Sequence, residues 1–133
     1  MVRDRFWWTL VSIGVITIVS GVAQCMVPDL LLEVLTPELA STSRHFLSIT
    51  GVLTASFGAL LIHALITSDW QHVAVLWIGI QKILAAIAVG LAIRAQVFST
   101  LALLAAGFDL VAGIMIAAFW FWIRQQSREL KRV

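Results

Sequence analysis

The sequence predicts an all-α, polytopic integral membrane protein: an antiparallel bundle of four transmembrane helices with a short interfacial helix between spans 1 and 2. Hydrophobic residues make up 61% of the chain and charged residues only 12%, and the mean hydropathy is +1.00, all far from the values of soluble domains. The apolar residues fall in four blocks, each longer than the roughly 18 residues that a membrane-spanning helix needs. Because hydrocarbon offers the backbone no hydrogen bonds, and a barrel would show short alternating strands, all four blocks are expected to be helical.

The four predicted spans cover most of the 133 residues, so a single membrane domain over 1–133 is expected, with no extramembrane module. The spans are placed at Phe6–Val27, His45–Ile66, His72–Ile93 and Phe98–Trp122. The first span is expected to be retained rather than cleaved as a signal peptide, because Gln24 stands where processing requires a small residue.

The connection between the first two spans, "PDLLLEVLTPELASTS", is too long for a simple turn and too short for another span. Its apolar residues can form one face of a short helix lying along the membrane surface: Leu30, Leu31, Val34 and Leu35. Thr36 and Pro37 have the pattern of a helix N-cap and first helical position, which predicts that the chain restarts a helix there. Such a segment either rests on the bundle or covers a pocket.

Basic residues gather at the two ends of the chain, which by the positive-inside rule predicts that both termini are cytoplasmic. These residues are Arg3, Arg5, Arg124, Arg128, Lys131 and Arg132. A bacterial inner membrane fits the brevity and the orientation. The basic tail is expected to contact anionic lipids rather than nucleic acid. Membrane lipids are therefore expected partners.

Each span carries a stripe of small residues spaced three or four apart, which keeps them on one helical face. Helices in a bilayer associate through close contact of such residues. The predicted packing positions are Gly14, Gly21, Gly51, Ala55, Gly58, Gly79, Ala86, Gly90 and Gly113. Lys82 and Asp109 belong to the stripes of the third and fourth spans, so both side chains are expected to face the bundle interior.

These two charges are predicted to lie at the same depth. Lys82 is 12 residues before Arg94, about 18 Å along a helix. Asp109 is 11 residues past Phe98, about 16 Å along the neighbouring antiparallel helix. We therefore expect a Lys82–Asp109 ion pair near the membrane midplane, with Gln81 or Thr54 as a further hydrogen-bonding partner.

Three roles for that pair remain open at this point. As structure, an ion pair fixes which helix faces which, and removing one partner would strand a buried charge. As mechanism, an acid and a base within the membrane could relay a proton or bind a charged substrate. The same polar groups could also hold an amphipathic ligand.

Motifs for other chemistry are absent from the sequence, so no catalytic residue, metal ligand or cofactor is predicted. There is no GxSxG, Walker loop or dinucleotide fingerprint, and no HxxxH or Cys/His cluster. His63 and His72 fall near the inner interface on consecutive spans and are the only histidines that could jointly ligate a haem. Haem, quinone and lipid are kept as alternative ligands.

Three landmarks carry a family resemblance: "MVPDLL" after the first span, the basic start "RHFLSITGVLTASFGALL" of the second, and the acid in "GFDLVAG" of the fourth. With four short-looped spans, this pattern resembles the small four-helix bacterial membrane proteins of the DoxX-like kind over most of the chain. Some members of that group resemble subunits associated with quinol oxidation. The resemblance implies an accessory membrane subunit and supplies no catalytic motif.

Three functional hypotheses follow. The first is a non-enzymatic accessory or structural subunit that packs in a larger membrane complex, respiratory or otherwise energy-converting. The second is a small proton-coupled transporter or channel-like oligomer that uses Asp109 and Lys82. The third is a quinone- or lipid-binding membrane protein. Other membrane subunits, or further copies of the chain, are the expected protein partners.

Overall fold

The computed structural model describes residues 5–35, 41–67 and 71–130. Within these ranges all regular secondary structure is helical. The helices are α1 (Arg5–Met26), α2 (Pro28–Leu35), α3 (Ser41–Ile66), α4 (Gln71–Arg94) and α5 (Ala102–Leu130). The four long helices are each long and apolar enough to cross a membrane. The predicted fold class is confirmed: an integral membrane bundle of four helices, with a short helix between spans 1 and 2.

Helix α5 begins four residues later than the sequence predicts, at Ala102 rather than Phe98. The intervening residues form a connection in which the Ser99 backbone N–H donates to Leu35 O at 2.7 Å and the Ser99 hydroxyl donates to Val34 O at 2.9 Å. These bonds cap the last carbonyls of α2. The boundary could not be predicted from hydropathy, because the connection is itself apolar.

The predicted helix restart at Thr36 and Pro37 lies outside the described residues.

Helix α4 ends in a Schellman motif. Gln96 has a positive φ of 61°, and the N–H of Val97 donates to Ala92 O at 2.9 Å while the N–H of Gln96 donates to Ile93 O at 3.0 Å. This position usually carries glycine, because a left-handed conformation strains other residues. The chain is thereby turned back toward α5.

Helices α1 and α3 form one close antiparallel pair, with Gly21 facing Gly51 and Gly14 facing Gly58. A Cβ placed on Gly21 would lie 2.5 Å from Gly51 O, and one placed on Gly51 would lie 2.5 Å from Gly21 O. A Cβ on Gly58 would lie 2.7 Å from Gly14 O. Only hydrogen fits at these contacts, so the two backbones touch directly.

Helices α4 and α5 form the second close antiparallel pair. A Cβ on Gly113 would lie 2.7 Å from Ile83 Cγ1 and 3.2 Å from Gly79 O. Gly90, by contrast, is exposed, and nothing lies within 4 Å of the position of its Cβ. Within the described residues of this chain, Gly90 therefore packs against no other helix, and its predicted role as a packing position stays a prediction for contacts between chains.

The two pairs share one core, at the end of the bundle where α1 begins and α3 ends. Its buried residues are Trp7, Leu10 and Ile13 of α1, Leu61, Ala64 and Leu65 of α3, Val75 and Ile78 of α4, and Ala112, Ile116, Phe119 and Ile123 of α5. At the opposite end the pairs are joined through α2 and Ser99. Between these two ends, α3 and α4 are separated by an open groove.

Gly21→Ala and Gly51→Ala are each expected to lower the free energy of unfolding by about 1–3 kcal/mol, since the added methyl must push two backbones apart. Gly90→Ala is the matched control and should cause no loss, because alanine has space there and favours a helix. Unfolding by sodium dodecyl sulfate in mixed micelles, followed by circular dichroism, measures all three. Equal stability of Gly21→Ala and Gly90→Ala would contradict the close pairing of α1 and α3.

Candidate functional site

The candidate site is an ion pair between the two helices of the second pair. Lys82 Nζ of α4 lies 2.5 Å from Asp109 Oδ1 of α5. The Lys82 side chain is 3% exposed and the Asp109 side chain is 21% exposed. The structure thus brings together the two charges that depth counting from the sequence places opposite each other.

Neighbouring glycines position this pair. Lys82 follows Gly79 by one helical turn, and Asp109 precedes Gly113 by one turn, so each charge shares a face with a glycine. Because α4 and α5 approach closely at Gly113, the short aspartate side chain can reach the lysine ammonium. A bulkier contact there would separate the helices and lengthen the ion pair.

An aromatic ring completes the surroundings of the ammonium group. Lys82 Nζ lies 5.2 Å from the centroid of the Phe108 ring, within the range of a cation–π interaction. Lys82 is near the middle of α4, about 17 Å along the helix from either end. An isolated charge at that depth is costly, and the opposite charge and the ring both offset the cost.

The two other polar residues predicted near the pair do not bond to it. Thr54 is half-buried on α3, and the hydrogen bonds of Lys82 and Asp109 within the described residues involve neither Thr54 nor Gln81. Gln81 lies instead on the wall of the groove between α3 and α4. Its Oε1 atom is buried and has no hydrogen-bond partner among the residues described.

This groove has a volume of about 640 Å³ and opens toward the outside of the bundle. It is lined by Phe57, Trp77, Ile80, Gln81, Leu84, Ala85 and Ala88. Sequence reasoning missed it, although one signal was present: Trp77 lies one helical turn before Gln81 within the third predicted span. Apart from Gln81 and the Trp77 indole, its wall is hydrocarbon.

The two histidines considered for haem lie on different elements. His63 is exposed near the end of α3, and His72 is half-buried in the first turn of α4. Within the described part of the chain, no group of three His, Cys, Asp or Glu residues is placed to hold a metal ion.

Hydroxyl groups in α1 and α3 bond mostly within their own helices. The buried Thr17 donates to Ile13 O at 2.8 Å, and Ser56 donates to Val52 O at 2.8 Å. Such bonds satisfy the hydroxyl without linking helices. Among the described residues, the ion pair that connects two transmembrane helices is formed by Lys82 and Asp109.

No family model, curated protein or solved structure matches the chain. What the bundle does must therefore be inferred from the geometry of its polar groups within the membrane.

Asp109→Asn is expected to lower the free energy of unfolding by about 3–5 kcal/mol, because it strands the buried Lys82 charge. Lys82→Met should lower it less, since Asp109 is the more exposed partner. The swapped variant Lys82→Asp with Asp109→Lys should recover part of the loss. All three are measured by unfolding in mixed micelles.

Asp29→Asn is the matched control for this series. It also removes a carboxylate from an ion pair, in this case with Arg44 Nε at 2.6 Å, but both side chains are 55% exposed. The loss should be about 1 kcal/mol or less. An Asp109→Asn loss no larger than the Asp29→Asn loss would show that the intramembrane pair contributes no more to stability than an exposed ion pair does.

Proposed function

We propose that this protein is a non-enzymatic structural or accessory subunit that packs within a larger complex of a bacterial inner membrane, with both termini cytoplasmic. The observation that carries the proposal is the bonded, self-neutralised Lys82–Asp109 pair, in which the lysine is 3% exposed. A charge held in this way has its partner inside the same helix pair. It serves to orient helices rather than to carry a substrate.

The pair sets both the rotation and the register of α4 against α5. Sliding one helix by a single turn would move one charge about 5.4 Å along the axis and break the 2.5 Å contact. Rotation would direct the ammonium toward lipid, where it would be costly. The α4–α5 pair is thus held in one arrangement, which gives it a defined outer surface.

That outer surface is well suited to lateral packing. Large apolar side chains are exposed on every span, among them Val19, Leu53, Leu84 and Leu104. In a bilayer these faces are covered by lipid or by helices of other subunits. The accessory role also agrees with the resemblance to DoxX-like proteins, and the basic residues at the chain ends support the orientation.

The test is purification of the tagged chain from its native membrane in a mild detergent, with companions identified by mass spectrometry and the visible absorption spectrum recorded. We expect other membrane subunits in fixed ratio to the chain, and a colourless free subunit. An unrelated tagged membrane protein, expressed to the same level, identifies proteins that are merely co-solubilised. Purified chain without fixed companions would contradict the proposal, and a haem or quinone signature would favour a ligand-binding protein instead.

A second candidate, a proton-coupled transporter or channel-like oligomer, is favoured by one observation: the Asp109 side chain keeps 21% of its surface exposed while Lys82 keeps 3%. A proton reaching the carboxylate would weaken its bond to Lys82. In this candidate, proton flux into vesicles containing the chain is driven by a pH gradient and is lost in Asp109→Asn. Asp29→Asn is the control and should keep the flux. Absence of flux in wild-type vesicles would dismiss this candidate.

A further inference from the structure

We propose that the end of the bundle at which α1 begins and α5 ends binds anionic phospholipids, with the Arg124 guanidinium donating hydrogen bonds to the lipid phosphate. This surface, the basic end, is defined by Arg5 and Trp8 of α1 and by Trp120, Trp122 and Arg124 of α5. The binding concerns lipids and does not depend on the accessory role proposed above.

The two ends of the bundle differ in charge. The segments 1–5, 67–71 and 124–133, which flank the basic end, carry six basic and three acidic residues. The segments 27–44 and 94–101, which flank the opposite end, carry two basic and three acidic residues. At that opposite end Arg44 is paired with Asp29, whereas no ion pair within the described residues involves Arg5 or Arg124. The basic end therefore carries positive charge that the described part of the chain does not neutralise.

The start of α1 lies beside the second half of α5, since the ring centroids of Phe6 and Phe119 are 5.9 Å apart. Arg5 is the first residue of the apolar span Arg5–Met26, and Arg124 is the last but one residue of the apolar span Ala102–Gln125. Both side chains are exposed. The two guanidinium groups are thus placed where an apolar span meets the headgroup layer.

The Arg124 guanidinium is held against the bundle by a ring. Its Cζ atom lies 5.0 Å from the centroid of the Trp120 ring, within the range of a cation–π interaction. A planar guanidinium carries its N–H donors around its edge, so a contact through its face leaves those donors directed at phosphate oxygens rather than at the ring. The contact therefore orients the group for phosphate.

Exposed aromatic side chains on the same two helices favour a lipid as the occupant rather than an acidic protein segment. Trp8 is 55% exposed and Trp122 is 43% exposed. Indole rings favour the boundary between acyl chains and headgroups, so both parts of a phospholipid find a matching group at the basic end. A zwitterionic headgroup brings its own ammonium, whereas an anionic headgroup brings net negative charge to unpaired arginines. The surface therefore fits phosphatidylglycerol better than phosphatidylcholine.

Tryptophan fluorescence reports on lipids at this end, because the described tryptophans lie at or near it. Trp7 and Trp8 are in the first turn of α1, Trp77 is in the second turn of α4, and Trp120 and Trp122 precede Arg124. The purified chain is reconstituted in phosphatidylcholine vesicles that contain, at equal mole fractions, either phosphatidylglycerol or phosphatidylcholine with brominated acyl chains. The ratio of the two quenching efficiencies measures the preference for the anionic lipid.

We expect the wild type to prefer phosphatidylglycerol and to lose that preference at high ionic strength. At low ionic strength, Arg124→Gln should reduce the preference about fivefold, the effect of one basic side chain near an anionic surface. Arg124→Lys keeps the charge and should retain most of the preference. Arg94→Gln is the matched control, since Arg94 is exposed at the end of α4 on the opposite side of the bundle, and it should leave the preference unchanged. Circular dichroism should show the same helicity in every variant.

Equal quenching by the two brominated lipids in the wild type would overturn the proposal. An unchanged preference in Arg124→Gln would remove this arginine from the contact, and an equal loss in Arg94→Gln would reduce the effect to net charge alone. A chain that binds polyglutamate through Arg124 but shows no lipid preference would assign the surface to a protein. Lipid preference is measured on the purified chain, whereas the accessory role is tested by companions from the native membrane, so the two proposals fail separately.

Discussion

Direct backbone contact at glycine is the constraint on which the rest of this bundle depends. Inside a bilayer, apolar side chains gain little by moving from lipid to a neighbouring helix, so association relies on close approach. Gly21 and Gly51 provide that approach for α1 and α3, and Gly113 provides it for α4 and α5. The Lys82–Asp109 pair then becomes reachable, because a short carboxylate side chain can bridge only helices that are already close.

Two adjacent residues of α4, Gln81 and Lys82, have different surroundings in the bundle. Lys82 points inward to an opposite charge and a ring, whereas Gln81, about 100° further around the helix, lies on the groove wall with an unbonded oxygen. The first group holds one helix pair together. The second has an oxygen without a hydrogen-bond partner among the described residues. Adjacent positions of one helix thus differ in their surroundings: Lys82 binds α5, and Gln81 lines the groove beside α3.

Much of the architecture could be predicted from the sequence because it follows from hydropathy and helical geometry. Block length locates the spans, and counting residues from a shared turn places Lys82 beside Asp109. The groove could not be predicted, because it depends on how far α3 stands from α4, and no periodicity encodes that distance.

The start of α5 and the left-handed conformation of Gln96 were also missed. An apolar connection has the hydropathy of a helix, and glutamine is not a usual residue for a left-handed conformation. Gly90 has no neighbouring helix among the described residues, because small-residue spacing identifies a helical face without showing that a neighbour within the chain reaches it.

The bonds from Ser99 to the last carbonyls of α2 give the bundle a second point of attachment between its two helix pairs. The apolar core joins the two helix pairs at one end of the bundle, and the Ser99 bonds join them at the other. Between these two attachments, Phe57 of α3 and Gln81 of α4 line the groove that separates the two helices. Any change in the width of this groove would have to be taken up by bending of α3 and α4, because the helix pairs are joined on either side of it.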